Sequence, residues 1–107
     1  MRRLTIGSEK YTRVFATDKK ESNANHSYSV STANEPSRIL ATICFQKGPI
    51  KEGRVDGVMN EDLISIVIDR LRSFQESWYQ CRENGIAITK LEEVLFWLNK
   101  RDRTLAN

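Results

Sequence analysis

The sequence predicts an α+β protein in which a small N-terminal antiparallel β-sheet is followed by two long α-helices. Three observations carry this prediction: alternating bulky and polar residues in the first half, helical spacing of apolar residues in the second, and a glycine-rich loop between them. At 107 residues we expect a single domain, with the sheet over about residues 10–58 and the helices over about residues 60–104. A chain of this length buries a modest core, so we also expect it to be oligomeric.

Three segments of the first half alternate as half-buried strands do: residues 11–17, 26–32 and 38–46. Tyr28 and Val30 lie on one face of the second segment, and the third carries the strongest strand signal in the chain. Polar loops rich in Asn and Ser separate the segments. Residues before about 10 either add a short edge strand or are disordered. The pattern predicts a small antiparallel meander.

The loop of residues 47–57 contains three of the five glycines, which indicates a shaped connection and not regular structure. The first helix is predicted to start with Asn60 as its N-cap, followed by acidic residues that favour the positive end of the helix dipole. Its residues at helical spacing are Leu63, Ile66, Val67, Arg70, Leu71 and Phe74. Ile64 and Ile68 add a second apolar row, which predicts that a second helix or a second subunit packs there.

The second helix is predicted to run from about Cys81 to Arg103 or beyond. Its inner stripe is formed by Ala87, Leu91, Val94, Leu95 and Leu98. Gly85 is unexpected inside this helix, because glycine costs about 1 kcal/mol relative to alanine there. A close approach of another group to its backbone is one explanation.

The charge and the cysteines limit the compartment and the kind of partner. A formal charge of +3 and a pI near 9.0 fit an anionic partner and fit equally a merely soluble surface. Cys44 and Cys81 are expected to be reduced, buried and inert, because no signal peptide opens the chain. No stretch approaches the roughly 20 apolar residues of a membrane span. We therefore expect a cytoplasmic protein with no membrane association.

Catalytic, metal and cofactor sites are not predicted. His26 is the single histidine and lies in a weakly patterned loop, and Cys44 has no adjacent base. The spacing of Cys and His residues resembles no zinc site, and the sequence contains no glycine-rich phosphate loop or dinucleotide fingerprint. Glu92 and Glu93 are adjacent on a helix and point in different directions. We expect a protein that is not an enzyme.

Three features could bind a small anionic ligand. The basic segment from Lys100 to Arg103 could pair with phosphate, and Asn84 could form hydrogen bonds to a base edge or a sugar. The aromatic residues Phe74, Trp78 and Tyr79 could stack on a base. Each feature also has an ordinary interpretation, as a solvated helix end, a lone surface amide, or aromatic core residues.

More than half of the chain, roughly residues 38–103, resembles the phage Thoeris anti-defence protein 1 family. The matching motifs, in chain order, are FQKGPIKE (45–52), NEDL (60–63), IDRL (68–71), FQ (74–75), CREN (81–84), TKLEE (89–93) and WLNKR (97–101). The resemblance implies a non-catalytic sponge that sequesters a cyclic ADP-ribose isomer made by Thoeris TIR proteins in the host cytoplasm. It also implies cyclic di- and trinucleotides as further ligands and an assembly of dimers and hexamers.

The resemblance further implies the ligand-binding residues. The stacking phenylalanine of the family falls on Phe74, its polar asparagine on Asn84, and its first phosphate-binding arginine on Arg101. The second arginine of the family meets Leu105 here, which leaves Arg103 as a candidate replacement. Two alternatives from other classes stay open: an oligomeric protein-interaction module, and a small nucleic-acid-binding regulator, for which the sequence shows no recognised motif.

Overall fold

The computed structural model describes the backbone of residues 1–106 and the side chains of residues 1–102. The chain divides into two compact units, Met1–Val58 and a second that begins at Met59. The first unit contains four strands: β1 (Arg2–Arg3), β2 (Thr12–Ala16), β3 (Ser27–Thr32) and β4 (Ile39–Cys44). The second contains two helices: α1 (Asn60–Gln75) and α2 (Arg82–Ala106). This arrangement confirms the predicted fold class of an N-terminal antiparallel sheet followed by two helices.

The four strands form one antiparallel sheet in the order β1-β2-β3-β4, so each strand pairs with its neighbour in sequence. This is the predicted meander. Of the two possibilities for the N-terminal residues, the structure has the short edge strand, because Arg2 pairs with Ala16 and Arg3 with Phe15.

The residues buried in the sheet are small and mostly polar: Ala16, Ser29 and Ser31. Tyr28 and Val30, which the alternation places on one face of β3, are half-buried, whereas Ser29 and Ser31 on the other face are buried. Phe15 lies opposite Ser29 and Arg13 lies opposite Ser31. Residues directly opposite each other share a face of an antiparallel sheet, so the two long side chains cover the two serines.

The last strand, β4, is an edge strand whose apolar side chains are largely exposed; Ile39 and Leu40 are each 52% exposed. Two features limit further strand pairing at β4. The β3–β4 register shifts between Val30 and Ser31, which leaves Leu40 of β4 without a partner in β3 and marks a bulge. At the other end, Val58 forms a parallel bridge with Phe45 beyond the strand. Bulges and covering segments are the usual ways of preventing further strand addition.

Gly57 allows the chain to lie against the end of β4. The N–H of Val58 donates to the carbonyl of Cys44, and the N–H of Gln46 donates to the carbonyl of Val58, both at 2.9 Å. A Cβ atom on Gly57 would lie 2.6 Å from the carbonyl oxygen of Phe45 and 2.7 Å from that of Cys44. Real Cβ atoms essentially never approach backbone atoms so closely, so this position requires glycine.

The predicted N-cap of α1 is wrong by one residue. Asn60 is the first helical residue, and Met59 occupies the cap position. The N–H of Met59 donates to the carboxylate of Asp62 at 2.8 Å, which is one half of a capping box. Methionine is not a preferred N-cap residue, so the sequence signal pointed to the neighbouring asparagine instead.

The two helices bury less of their apolar surface than the spacing predicted. Ile68 is the one buried hydrophobic residue among the described helical positions, whereas Ile66 and Val67, both at the predicted helical spacing of α1, are 63% and 45% exposed. On α2, Val94 is likewise exposed. On α1 the more buried row includes Ile64 and Ile68, the second apolar row of the prediction. On α2 the other four predicted residues are half-buried: Ala87, Leu91, Leu95 and Leu98.

Both cysteines are free thiols, but the expectation that they are buried is wrong, because both are exposed. Cys44 ends the edge strand β4. Cys81 immediately precedes α2, where its Sγ accepts the N–H of Asn84 at 3.4 Å and so caps the helix.

Candidate functional site

The closed end of the helical hairpin is fixed by the side chain of Gln75. Its amide nitrogen donates to the carbonyl of Cys81, and its amide oxygen accepts the N–H of Cys81, each at 2.9 Å. These two bonds tie the last residue of α1 to the residue that caps α2. A Cβ atom on Gly85 would lie 3.4 Å from the amide nitrogen of Gln75, which is an ordinary contact distance, so the packing at this position does not require glycine.

The turn between the helices positions the aromatic residues. The hydroxyl of Ser77 donates to the carbonyl of Phe74 at 2.7 Å and accepts the N–H of Tyr79 at 3.1 Å. The Phe74 and Tyr79 rings meet edge to face, with centroids 6.2 Å apart and an interplanar angle of 73°. Trp78 points away and is 100% exposed.

A cavity of about 380 Å³ opens at this end of the hairpin. Its lining residues are Leu71, Phe74, Tyr79 and Asn84. The structure therefore brings together two of the predicted ligand-binding residues, Phe74 and Asn84. The cavity combines an aromatic face with one amide, which suits a flat heteroaromatic group that has hydrogen-bonding atoms on its edge.

Arg101 lies at the other end of the hairpin. It follows Asn84 by seventeen residues on α2, which corresponds to about 25 Å along the helix axis. Within one chain, Arg101 therefore cannot contact a small ligand that is bound against Phe74 and Asn84. The side chain of Arg103, the fourth predicted residue, lies outside the described residues.

Arg101 is exposed and held by its neighbour. The Nε and Nη2 atoms of its guanidinium donate to Oδ1 of Asp102 at 3.0 and 2.8 Å. This hydrogen bonding, together with the negative charges of Asp102 and of Glu61 on α1, raises the pKa of Arg101. The guanidinium is charged at any physiological pH, and an incoming anion would compete with Asp102 for it.

Two larger cavities lie elsewhere and contain none of the predicted residues. One, of about 490 Å³, is lined by Ser22, Lys47, Gly48, Pro49, Lys51, Glu52, Arg54 and Asp56. The other, of about 400 Å³, lies between α1 and α2 beside the ion pair of Arg72 with Glu92. The first is lined mostly by charged side chains. The second also contains an aromatic ring and an amide, Phe96 and Asn99, neither of which the sequence indicated as ligand-binding.

Sequence reasoning did not identify every residue of the site. It named Tyr79 among the aromatic candidates but not among the ligand-binding residues, and it placed Leu71 only in the apolar stripe. Arg70 was also missed as a neighbour of the site, although its guanidinium lies 5.3 Å from the centroid of the Phe74 ring. The four-residue separation of Arg70 and Phe74 was the available signal, because such residues are neighbours on a helix.

Other kinds of site are not evident in the part of the chain that the structure describes. There, no three or more His, Cys, Asp or Glu side chains come together in an arrangement suited to a metal ion. Neither α1 nor α2, as far as they are described, contains an apolar stretch of membrane-spanning length.

The protein belongs to the class in which a small antiparallel sheet is followed by a helical hairpin. At the closed end of the hairpin, aromatic rings and one amide line a cavity. The family model described as "Acb2/Tad1, hairpin domain" matches residues 38–101. The chain is also 45% identical to the protein named Thoeris anti-defense 1 of Bacillus phage SBSphiJ7 over 116 aligned positions, which cover 86% of this chain and 82% of that protein. The chain belongs to the Acb2/Tad1 hairpin family.

Proposed function

We propose that this protein is a phage inhibitor of Thoeris defence that sequesters a cyclic ADP-ribose isomer without cleaving it. The family and the printed name of the phage relative support the anti-Thoeris role. The observation that carries the sequestration step is the cavity that joins Phe74 and Asn84. Glycocyclic ADP-ribose is the first candidate ligand, and cyclic di- and trinucleotides are further candidates. Because the signal is made inside the infected cell, the protein would act in the host cytoplasm.

The cavity supplies contacts for the base of such a ligand. The Phe74 ring offers a stacking surface, and stacking of a base on an aromatic side chain is worth about 1–3 kcal/mol. The Asn84 carboxamide offers one acceptor and two donor hydrogens to the base edge. The phosphates need a cation, and none of the four lining residues supplies one.

Arg101 can supply that cation only from another copy of the chain, because its own cavity is about 25 Å away along α2. A two-fold pairing of hairpins would place Arg101 of one copy at the cavity of the other, and two equivalent pockets would result. Arg103 stays a candidate second phosphate contact.

The exposed apolar surface of the hairpin supports such self-association. Exposed large apolar residues on α1 and α2 are Ile66, Val67, Ile86, Val94, Phe96 and Trp97. Exposed apolar side chains that group together usually mark an interface, and the rings of Phe96 and Trp97 meet edge to face with centroids 5.4 Å apart. A dimer, and a hexamer built from dimers, would bury it and would compensate for the small core of each chain.

Capture without cleavage is supported by the chemistry of the lining. Three of the four lining side chains, Leu71, Phe74 and Asn84, carry no ionisable group. These side chains offer no nucleophile or base active at neutral pH. A ligand held there would be released intact, and the protein would need no cofactor.

Capture and recovery of the ligand tests the proposal. Purified protein is mixed with each glycocyclic ADP-ribose isomer and with cyclic di- and trinucleotides, free ligand is removed by filtration, and the protein is heat-denatured. We expect depletion of one of these ligands followed by recovery of the same mass. A cleaved product would make the protein an enzyme. No depletion would favour an oligomeric interaction module, and retention of DNA instead would favour a nucleic-acid regulator.

Asp102 should restrain ligand binding, because it occupies the guanidinium of Arg101. Asp102→Asn removes the competing charge, and an exposed ion pair is weak, so we expect ligand capture to tighten only modestly, by about two- to fivefold. Titration calorimetry measures the change. Glu93→Gln makes the same charge change two helical turns away and serves as the control. Weaker capture by Asp102→Asn would mean that Asp102 holds Arg101 in its binding position.

A further inference from the structure

Phe74 offers a base less surface than its position suggests. The ring is half-buried in the hairpin. The guanidinium of Arg70, one turn earlier on α1, lies over it at 5.3 Å from the centroid. A cation at that distance is attracted to a ring face and occupies it. A base bound in the cavity can therefore use only the remaining face of Phe74.

Tyr79 has the opposite character, because it is 75% exposed and yet fixed in position. Its backbone N–H is bonded to Ser77, and its ring contacts the Phe74 ring edge to face. An ordinary exposed tyrosine would leave most of its ring in water without a constrained orientation. Here the ring lines the same cavity as Asn84.

The two rings form a corner and not a parallel clamp. Their planes are inclined by 73°, and their centroids are 6.2 Å apart. A flat base that stacks on one ring presents its edge to the other, and both arrangements are favourable for aromatic groups. The Asn84 amide lies in the same cavity and can bond to the remaining polar edge of the base.

We propose that Tyr79 is the second base-contacting residue of the pocket, and that it determines how tightly the nucleobase part of the ligand is held. This inference rests on the proposed function. It places the base of the ligand at the closed end of the hairpin, whereas the phosphates bind to arginine. Tyrosine suits this task because it provides a large flat surface with only two side-chain torsions to order.

Substitution of Tyr79 tests the inference. With glycocyclic ADP-ribose as the probe, we expect Tyr79→Ala to raise the Kd by about ten- to hundredfold, the range of one lost stacking contact. Tyr79→Phe keeps the ring and should bind within about threefold of the parent, since only the hydroxyl is removed. Trp78→Ala, which removes a fully exposed neighbour outside the cavity, should bind as the parent does.

A second probe separates base contact from general damage. Ribose bisphosphate carries the anionic part of the ligand without a base, so Tyr79→Ala should bind it as the parent does. If the parent binds glycocyclic ADP-ribose and Tyr79→Ala binds it equally, the inference is wrong while the proposed function stands. If Tyr79→Ala loses both probes equally, the role of Tyr79 is structural and the inference also fails. If the parent binds no cyclic nucleotide, the proposed function itself fails.

Discussion

A one-to-one mixture of Phe74→Ala and Arg101→Ala chains is expected to recover ligand capture that neither variant has alone. Loss of the Phe74 ring should weaken binding by about ten- to hundredfold. Loss of the charge-assisted bonds of Arg101 should weaken it by a similar factor of about ten to a hundred, without unfolding the exposed helix end. In a hybrid pair, one pocket receives Phe74 from the Arg101→Ala chain and Arg101 from the Phe74→Ala chain.

The expected recovery follows from two-fold symmetry. If the two chains associate at random, half of the pairs are hybrids, and each hybrid contains one intact pocket and one doubly defective pocket. About one quarter of all pockets in the mixture, and half of the pockets in isolated hybrids, should then bind with the affinity of the parent. The two chains are co-expressed with different tags, hybrids are isolated by tandem purification, and bound ligand is counted by mass spectrometry.

A control mixture of two other variants shows whether recovery requires that one pocket contain all of its binding residues. Phe74 and Asn84 line the same cavity of one chain. A hybrid of Phe74→Ala with Asn84→Ala therefore contains no intact pocket and should not recover. If the Phe74→Ala and Arg101→Ala hybrid also fails to recover, Arg101 does not reach the cavity from a partner. The assignment of Arg101 to this ligand would then be wrong.

Much of the architecture could be predicted because each element carries its own periodic signal. Strands β2, β3 and β4 fall within the three alternating segments, and α1 and α2 follow the helical spacing. The glycine-rich loop separated the two kinds of pattern, as its composition predicted. Phe74 and Asn84, two of the residues that the resemblance implies, line one cavity and lie on either side of a short turn. Such contacts depend on local geometry, which a sequence specifies well.

The faces of the elements were harder to predict, since alternation shows that a strand has two faces but not which one is covered. Ser29 and Ser31 are buried because Arg13 and Phe15 lie opposite them, which depends on the register between strands. The exposed strand β4 has the composition of a central strand, because its edge is protected by a bulge and by Val58 and not by charged residues. The sequence also did not show that Ile66 and Val67 are exposed, because the same types of apolar residue occur in protein cores and in interfaces.

Gly57→Ala is expected to destabilise the sheet unit by about 2–4 kcal/mol, the range in which a single substitution causes an unavoidable clash or strain. The added Cβ would lie within 3 Å of the carbonyl oxygens of Phe45 and Cys44. Backbone atoms cannot rotate away as a side chain can, so the segment must move away from β4. That movement would break the paired hydrogen bonds of Val58 and expose the end of the strand. Urea unfolding at a fixed protein concentration measures the loss.

Two other glycines serve as controls that separate the clash from the general effects of replacing glycine. Gly7 has no atom within 4 Å of an added Cβ, so Gly7→Ala reports only the reduced freedom of the unfolded chain and should be within about 1 kcal/mol of the parent. Gly53 also has open space but a φ of +71°, so Gly53→Ala reports backbone strain alone, with an expected cost of about 1–2 kcal/mol. The clash predicts that Gly57→Ala has the largest effect of the three. A smaller effect than that of Gly53→Ala would mean that the segment beside β4 yields easily, and that Val58 does not hold the edge of the sheet.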